Sequence, residues 1–159
     1  MAMNLEFTPS TREQAIECVR WAYEAPYDLY NVREADRQVE IEGMLDRENH
    51  AYAVSSEDQF IGIRSFGEDG RVTGGAYDDV YQDTGGALRP DMTAKGFGEE
   101  VLRAGLQFGT RALGFTKFRV AVAAFNERAL KVCRRVGFVE RQRFLSTSDR
   151  QEFVILTLK

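Results

Sequence analysis

Cysteine and histidine are scarce in this chain of 159 residues, which holds two cysteines, Cys18 and Cys133, and one histidine, His50. So few ligands, with no Cys-x-x-Cys pair, exclude a disulfide framework and a zinc site, and no metal is expected. Positive charge is not in excess either. A formal net charge of −4 argues against non-specific nucleic-acid binding, which needs a basic surplus. No apolar run reaches the length of a membrane span, and no basic-then-apolar start resembles a signal peptide. These absences leave the expectation of a reduced, cytoplasmic protein with no membrane partner. Apolar residues make up 43% and charged residues 29%, which suits a globular chain forming one domain over residues 1–159.

Glycine, by contrast, is plentiful, and it marks the organisation. Residues 3–8 suit an edge strand. Ser10 and Glu13 form a capping-box pattern opening a helix that Pro26 ends. A tyrosine-rich loop follows, then a more polar helix over 33–45. "AYAVSSEDQFIGIRSF" alternates on both sides of Ser56-Glu57-Asp58, a hairpin signal. Residues 67–79 form a loop with four glycines. A strand over 80–89 contains Gly85-Gly86, a pair that predicts a bulge or a close ligand. Residues 98–113 read as a helix and 118–125 as a buried central strand. A short helix over 126–136 stops at Gly137. "FVERQRF" and "EFVILTL" are the last two strands, the latter read as an exposed edge that would permit a homodimer as well as a monomer. The order β-α-α-β-β-β-α-β-α-β-β describes a mixed α/β fold.

The stretch "LRPDMTAKGFGEE", residues 88–100, places Gly96 and Gly98 where a helix starts, although glycine is a poor helix former. A phosphate, a neighbouring helix or a simple turn could explain them. A Walker loop is excluded because no G-x-x-x-x-G-K-S/T string occurs. A dinucleotide fingerprint is excluded because Val101 stands where the third glycine belongs. What remains is a strand, a proline and a small-residue loop feeding free amides into a helix N-terminus, a geometry suited to a diphosphate.

Here the sequence resembles the GNAT superfamily of acyl-CoA-dependent N-acyltransferases. The family's diphosphate loop reads Gln or Arg, two residues, Gly, one residue, then Gly or Ala; Thr93-Ala94-Lys95-Gly96-Phe97-Gly98 occupies that window. "NERALKVCRRVGF" is similar to the family's second signature, N-x-x-A-x-x-x-Y-x-x-x-G-F, matching at Asn126, Ala129, Gly137 and Phe138. Two departures stand out: Thr93 replaces the Gln or Arg, and Cys133 replaces the tyrosine that protonates the departing thiolate.

The resemblance implies a mostly antiparallel sheet of about seven strands, splayed between strands 4 and 5 and flanked by about four helices. It implies acetyl-CoA as co-substrate and an amine as acceptor. The backbone of Ala87, Leu88 and Arg89 would hold the pantetheine, with an amide near Leu88 facing the thioester oxygen. Main chain from Met92 through Thr93, Ala94, Lys95, Gly96 and Phe97 to Gly98, with Glu99 opening the helix, would hold the diphosphate. Asn126 would bond the cofactor arm, beside Ala129, and Arg128 could neutralise a phosphate or simply face solvent. Asp83 is the first candidate base, or else a solvated strand-end carboxylate; Tyr77 and Glu24 are others. Cys133 is either a buried small hydrophobe or a surrogate acid. Glu24, Tyr27 and Tyr30 could line an acceptor pocket, or the tyrosines could pack the first helix. A non-catalytic acyl-CoA-binding module is the alternative function.

Overall fold

The computed structural model describes residues 3–159. Strands β1 (Leu5–Pro9), β2 (Tyr52–Ser56), β3 (Gln59–Phe66), β4 (Gln82–Leu88), β5 (Phe118–Ala123), β6 (Val139–Leu145) and β7 (Glu152–Leu158) join helices α1 (Arg12–Cys18), α2 (Arg37–Leu45), α3 (Gly98–Leu113) and α4 (Glu127–Val136). One seven-stranded sheet runs in the order β1-β2-β3-β4-β5-β7-β6. Every neighbouring pair is antiparallel except β4 and β5, which run parallel and match only at Gln82 with Phe118 and Asp83 with Arg119. Beyond Asp83 the two strands part. β4 stays with β3 as far as Leu88, and β5 stays with β7 as far as Ala123. The sheet is therefore splayed at its middle, as the resemblance implied.

Local chemistry sets most boundaries. Glu57 and Asp58 both take left-handed φ, 49° and 67°, which matches the twist of a tight hairpin between β2 and β3. In α3, Val101, Leu102 and Leu106 are buried. Leu102 and Leu106 pack, with Leu130 and Cys133 of α4, onto Val120, Val122, Val154 and Leu156 of the sheet, and Val101 packs on Val54 and Ile61. Gly109 lets α3 come close: a Cβ there would lie 2.8 Å from the Phe66 ring. Asn126 caps α4 by accepting from the Ala129 amide, and Gly137 ends it at φ 117°. α1 and α2 meet each other through Ala15, Val19 and Ile41. No helix among the described residues is long and apolar enough to cross a membrane.

Five details differ from the sequence reading. The capping box is Thr11 with Gln14, because the Ser10 hydroxyl donates instead to the Ala51 carbonyl. α1 ends at Cys18, well before Pro26, as Trp21 turns in to stack on Phe60. α2 begins at Arg37, after a 3₁₀ turn at Glu34–Asp36. β4 has no bulge at Gly85-Gly86, since its register with β3 is unbroken from Thr84 to Leu88. Finally, β7 is interior, flanked by β5 and β6, so the free edges are β1 and β6.

Candidate functional site in the splay

The loop after β4 presents bare amides. Pro90–Met92 forms a 3₁₀ turn that engages the Met92 and Thr93 N–H groups with the carbonyls of Arg89 and Pro90. Those two residues therefore cannot offer amides to a diphosphate, contrary to expectation, and Met92 packs instead, as Leu88 and Phe97 do, against the cluster of Val54, Ile61 and Val101. Ala94, Lys95, Gly96 and Phe97 follow, and no backbone carbonyl among the described residues takes their amides. Gly96 has φ 82° and open space where a Cβ would be. Gly98 then opens α3, whose first-turn N–H groups have no helical partner. Lys95 is exposed, and the Glu99 carboxylate accepts from Arg103 at 3.2 Å.

β4 leads to this loop along a half-used edge. The Arg89 amide donates to the Ile61 carbonyl, and the Gly67 amide donates to the Asp83 carbonyl. Antiparallel pairing alternates, so the peptide groups of Asp83, Gly85, Ala87 and Arg89 face β3, whereas those of Gly86 and Leu88 face the splay. Ala87 and Arg89 are thus turned the wrong way to hold a strand-like ligand, and Gly86 joins Leu88 in their place. The Leu88 carbonyl accepts from the Tyr23 hydroxyl at 2.6 Å. Arg89 directs its guanidinium to Asp91 and the Phe60 carbonyl.

The opposite lip is the β5–α4 corner. Asn126 is engaged twice, as α4 cap and as donor to the Tyr30 hydroxyl at 3.1 Å. Tyr27 and Tyr30 both lean on Phe125, and Arg128 stacks over the Tyr27 ring at 3.9 Å. Beyond them a hollow of about 620 Å³ is lined by Glu127, Arg128, Lys131, Arg134 and Arg135. Glu24 sits exposed on the preceding turn, its carbonyl accepting from the Tyr27 amide.

The three candidate catalytic residues do not converge. Asp83 is buried, and its carboxylate accepts from Arg119 at 2.6 and 2.9 Å and from Arg71 at 2.7 Å. Arg119 also reaches Asp78. Tyr77 joins this cluster, with its ring beneath both guanidiniums and its hydroxyl accepting from the Val72 amide. Burial, above all, raises the Tyr77 pKa. A carboxylate held on both oxygens by two guanidiniums serves charge pairing between β4, β5 and the loop before β4. Cys133 lies elsewhere, in the core beneath α4. Burial pushes its thiol up to about 11, against the pull of Arg64 and Arg134, and so makes it a weaker acid than an ordinary cysteine.

Three residues escaped the sequence reading. Asp69 follows β3 in the glycine-rich loop. Its side chain is exposed at the surface, and neighbouring protein that displaces part of its water raises its pKa; bonds from Ser65 and the Asp69 and Gly70 amides pull partly back, and the Asp83 charge adds to the rise. Glu40 of α2, also exposed, is raised by partial loss of water and by Asp69. Arg64 of β3 extends past Gly86 and Gly105, with its pKa brought down to about 10 by burial. Surroundings assembled from distant parts of the chain single these residues out, and nothing in their sequence neighbourhood signals it.

Known proteins narrow the reading. An Acetyltransferase (GNAT) domain model matches residues 7–139. No curated protein sequence matches the chain. Solved structures share the fold at low identity. A spermidine N-acetyltransferase chimera from Vibrio cholerae and hSSAT is 17% identical, with TM-score 0.71 over 97% of this chain and 94% of that one. An acetyltransferase (GNAT family) from Bacillus anthracis is 14% identical, with TM-score 0.72 over 99% and 96%. RimL, a ribosomal L7/L12 alpha-N-protein acetyltransferase in complex with coenzyme A, is 14% identical, with TM-score 0.68 over 97% and 93%. With a family model covering most of its length, and a seven-stranded sheet splayed between β4 and β5, the chain belongs to the GNAT family of acetyltransferases.

Proposed function

We propose that this chain moves an acetyl group from acetyl-CoA to a cationic primary amine by direct attack. The observation that carries the reading is the half-used edge of β4, whose Gly86 and Leu88 peptide groups lead into the bare amides of Ala94–Phe97. A pantetheine arm would pair with that edge as an added strand. The diphosphate would rest on the loop and the N-terminus of α3, where amides and helix dipole favour anions. Arg128, Lys131 and Arg134 would face the remaining phosphate.

Asp69, rather than Asp83, is the base in this reading. An ordinary primary amine is mostly protonated at neutral pH and must lose a proton before it attacks. A carboxylate with a raised pKa takes up that proton better than an ordinary one, directly or through water. The amine nitrogen then bonds the thioester carbon, and a Gly86 or Leu88 amide facing the cleft stabilises the oxyanion. As the oxyanion collapses, the C–S bond breaks and its electron pair leaves with sulfur. Asp69 and Glu40 would also attract a cation. Spermidine, the substrate named for one neighbour, has that chemistry, whereas RimL is named for a protein terminus.

The RimL structure bears a disulfide between its coenzyme and one of its cysteines. Cys133 is this chain's own buried thiol on α4 and would lie beside the coenzyme sulfur. The second reading, a binding module without turnover, is favoured by the same Cys133, which leaves no tyrosine there as acid. Thiol release from acetyl-CoA with a panel of polyamines, simple amines and peptide N-termini separates the two. Turnover strongest with polyamines is expected; coenzyme binding without release above background for any amine would favour the module.

A further inference from the structure

Arg64 is a half-buried cation that no step above uses. It lies on β3 directly opposite Gly86, on the same face of the sheet as Phe66, under α3. Two glycines make its slot. A Cβ at Gly86 would lie 2.6 Å from Arg64 Cζ and 2.7 Å from Nη2, and one at Gly105 would lie 3.4 Å from its Nε. The side chain therefore crosses β4 at Gly86 toward the splay, with part of it still open to solvent. Its Nε is sealed and has no hydrogen-bond partner, and Nη1 has only the Thr84 hydroxyl at 3.5 Å. Among the described residues no carboxylate pairs with it, whereas Arg119 holds two. Its charge is nevertheless felt at Cys133, where it offsets part of the larger rise in the thiol pKa that burial causes. A cation partly withdrawn from water and lacking a counter-ion gains when an anion arrives beside it.

We propose that Arg64 is the group that receives the negative charge of the departing coenzyme A thiolate. This rests on the cofactor placement proposed above. In the collapse step the thioester C–S bond breaks, both electrons stay on sulfur, and the guanidinium N–H groups face the resulting thiolate. No proton need be delivered to sulfur within the site. That accounts for Cys133 in the position of the family's tyrosine: stabilisation by a fixed cation replaces protonation by an acid, and a small residue leaves the space open. The oxyanion and the amine proton are handled on the other side of β4, so the two charges that develop in the reaction meet separate partners.

The test needs no knowledge of the acceptor. Affinity is measured by calorimetry for coenzyme A and for desulfo-coenzyme A, which lacks the thiol, across about pH 6.5 to 9.5. A thiol has an ordinary pKa of about 8.5, and each unit by which the site lowers it tightens thiolate binding about tenfold. In the wild type the affinity ratio of coenzyme A to desulfo-coenzyme A is expected to grow about tenfold over that range. Arg64→Met should flatten the ratio and keep desulfo-coenzyme A affinity within about twofold, and Arg64→Lys should restore part of the rise. A ratio independent of pH in the wild type overturns the proposal, and so does a rise that survives in Arg64→Met. If desulfo-coenzyme A fails to bind the wild type, the cofactor placement itself falls. If Arg64→Met leaves the ratio intact but abolishes a preference for succinyl-CoA over acetyl-CoA, Arg64 reads an acyl carboxylate and the thiolate role is refuted.

Discussion

Arg119 and Arg64 are two arginines in one sheet, held in opposite ways. Arg119, on β5, is 3% exposed and is met by Asp83 and Asp78, with Tyr77 against its face and Arg71 sharing Asp83. Arg64, on β3, has glycines above and below it and no acid within reach. The first arrangement satisfies a buried charge from within the chain. It locks β4 to β5 at the only place where they pair. The second leaves a charge unanswered just where those strands have separated. A buried charge that is paired holds a fold together; a half-buried charge that is left unpaired is free to meet a ligand.

Breaking the paired site should give the largest effect. Arg119→Met strands Asp83 in the interior with Arg71 as its remaining partner, and should cost about 3–5 kcal/mol in a urea titration. A loss much below that range would mean that Asp83 is solvated. Asp69→Asn removes the proposed base. Turnover should drop on the order of 10²-fold, and the loss of activity on acidification should flatten with it. Because the folded pKa of Asp69 is raised, its stabilising contribution is present at low pH and lost as pH climbs through that pKa. The variant should therefore melt slightly higher than the wild type at neutral pH and equally at low pH. A pH–rate profile unchanged in Asp69→Asn would return the base assignment to water or another group.

Smaller effects sharpen the contrast. Cys133→Ser should lower turnover less than tenfold, or about 1.4 kcal/mol, because a thiol weakened by burial is not the acid. Mass spectrometry after mild oxidation should find a coenzyme A adduct on the wild type that this variant lacks. Arg64→Met should leave stability within about 1 kcal/mol, in either direction, since no partner loses its counter-charge. A loss like that of Arg119→Met would show that Arg64 is structural.

Much of this architecture was legible because it is written locally. The apolar stripe of α3, the Asn126 cap and Gly137 stop of α4, and the Glu57-Asp58 turn are each coded within a few residues. The diphosphate loop was visible for the same reason, although the turn at Pro90–Met92 removes two of its amides. What could not be read depends on partners far along the chain. Asp83 appeared to be a free strand-end carboxylate because Arg119 lies 36 residues away. Gly85-Gly86 reads as a bulge or a close ligand; the bulge is absent, and Gly86 makes room for the Arg64 side chain on the next strand. The placement of β7 between β5 and β6 follows from pairing that no local pattern announces.

The cofactor placement carries the whole account, and Gly96→Asp tests it most directly. The substitution sets a carboxylate among the bare amides at a position with φ 82°, remote from the core and from both arginines. Calorimetric titration with coenzyme A should show affinity weakened on the order of 10²-fold, with the circular dichroism spectrum unchanged. Equal affinity in a folded Gly96→Asp protein would contradict the account.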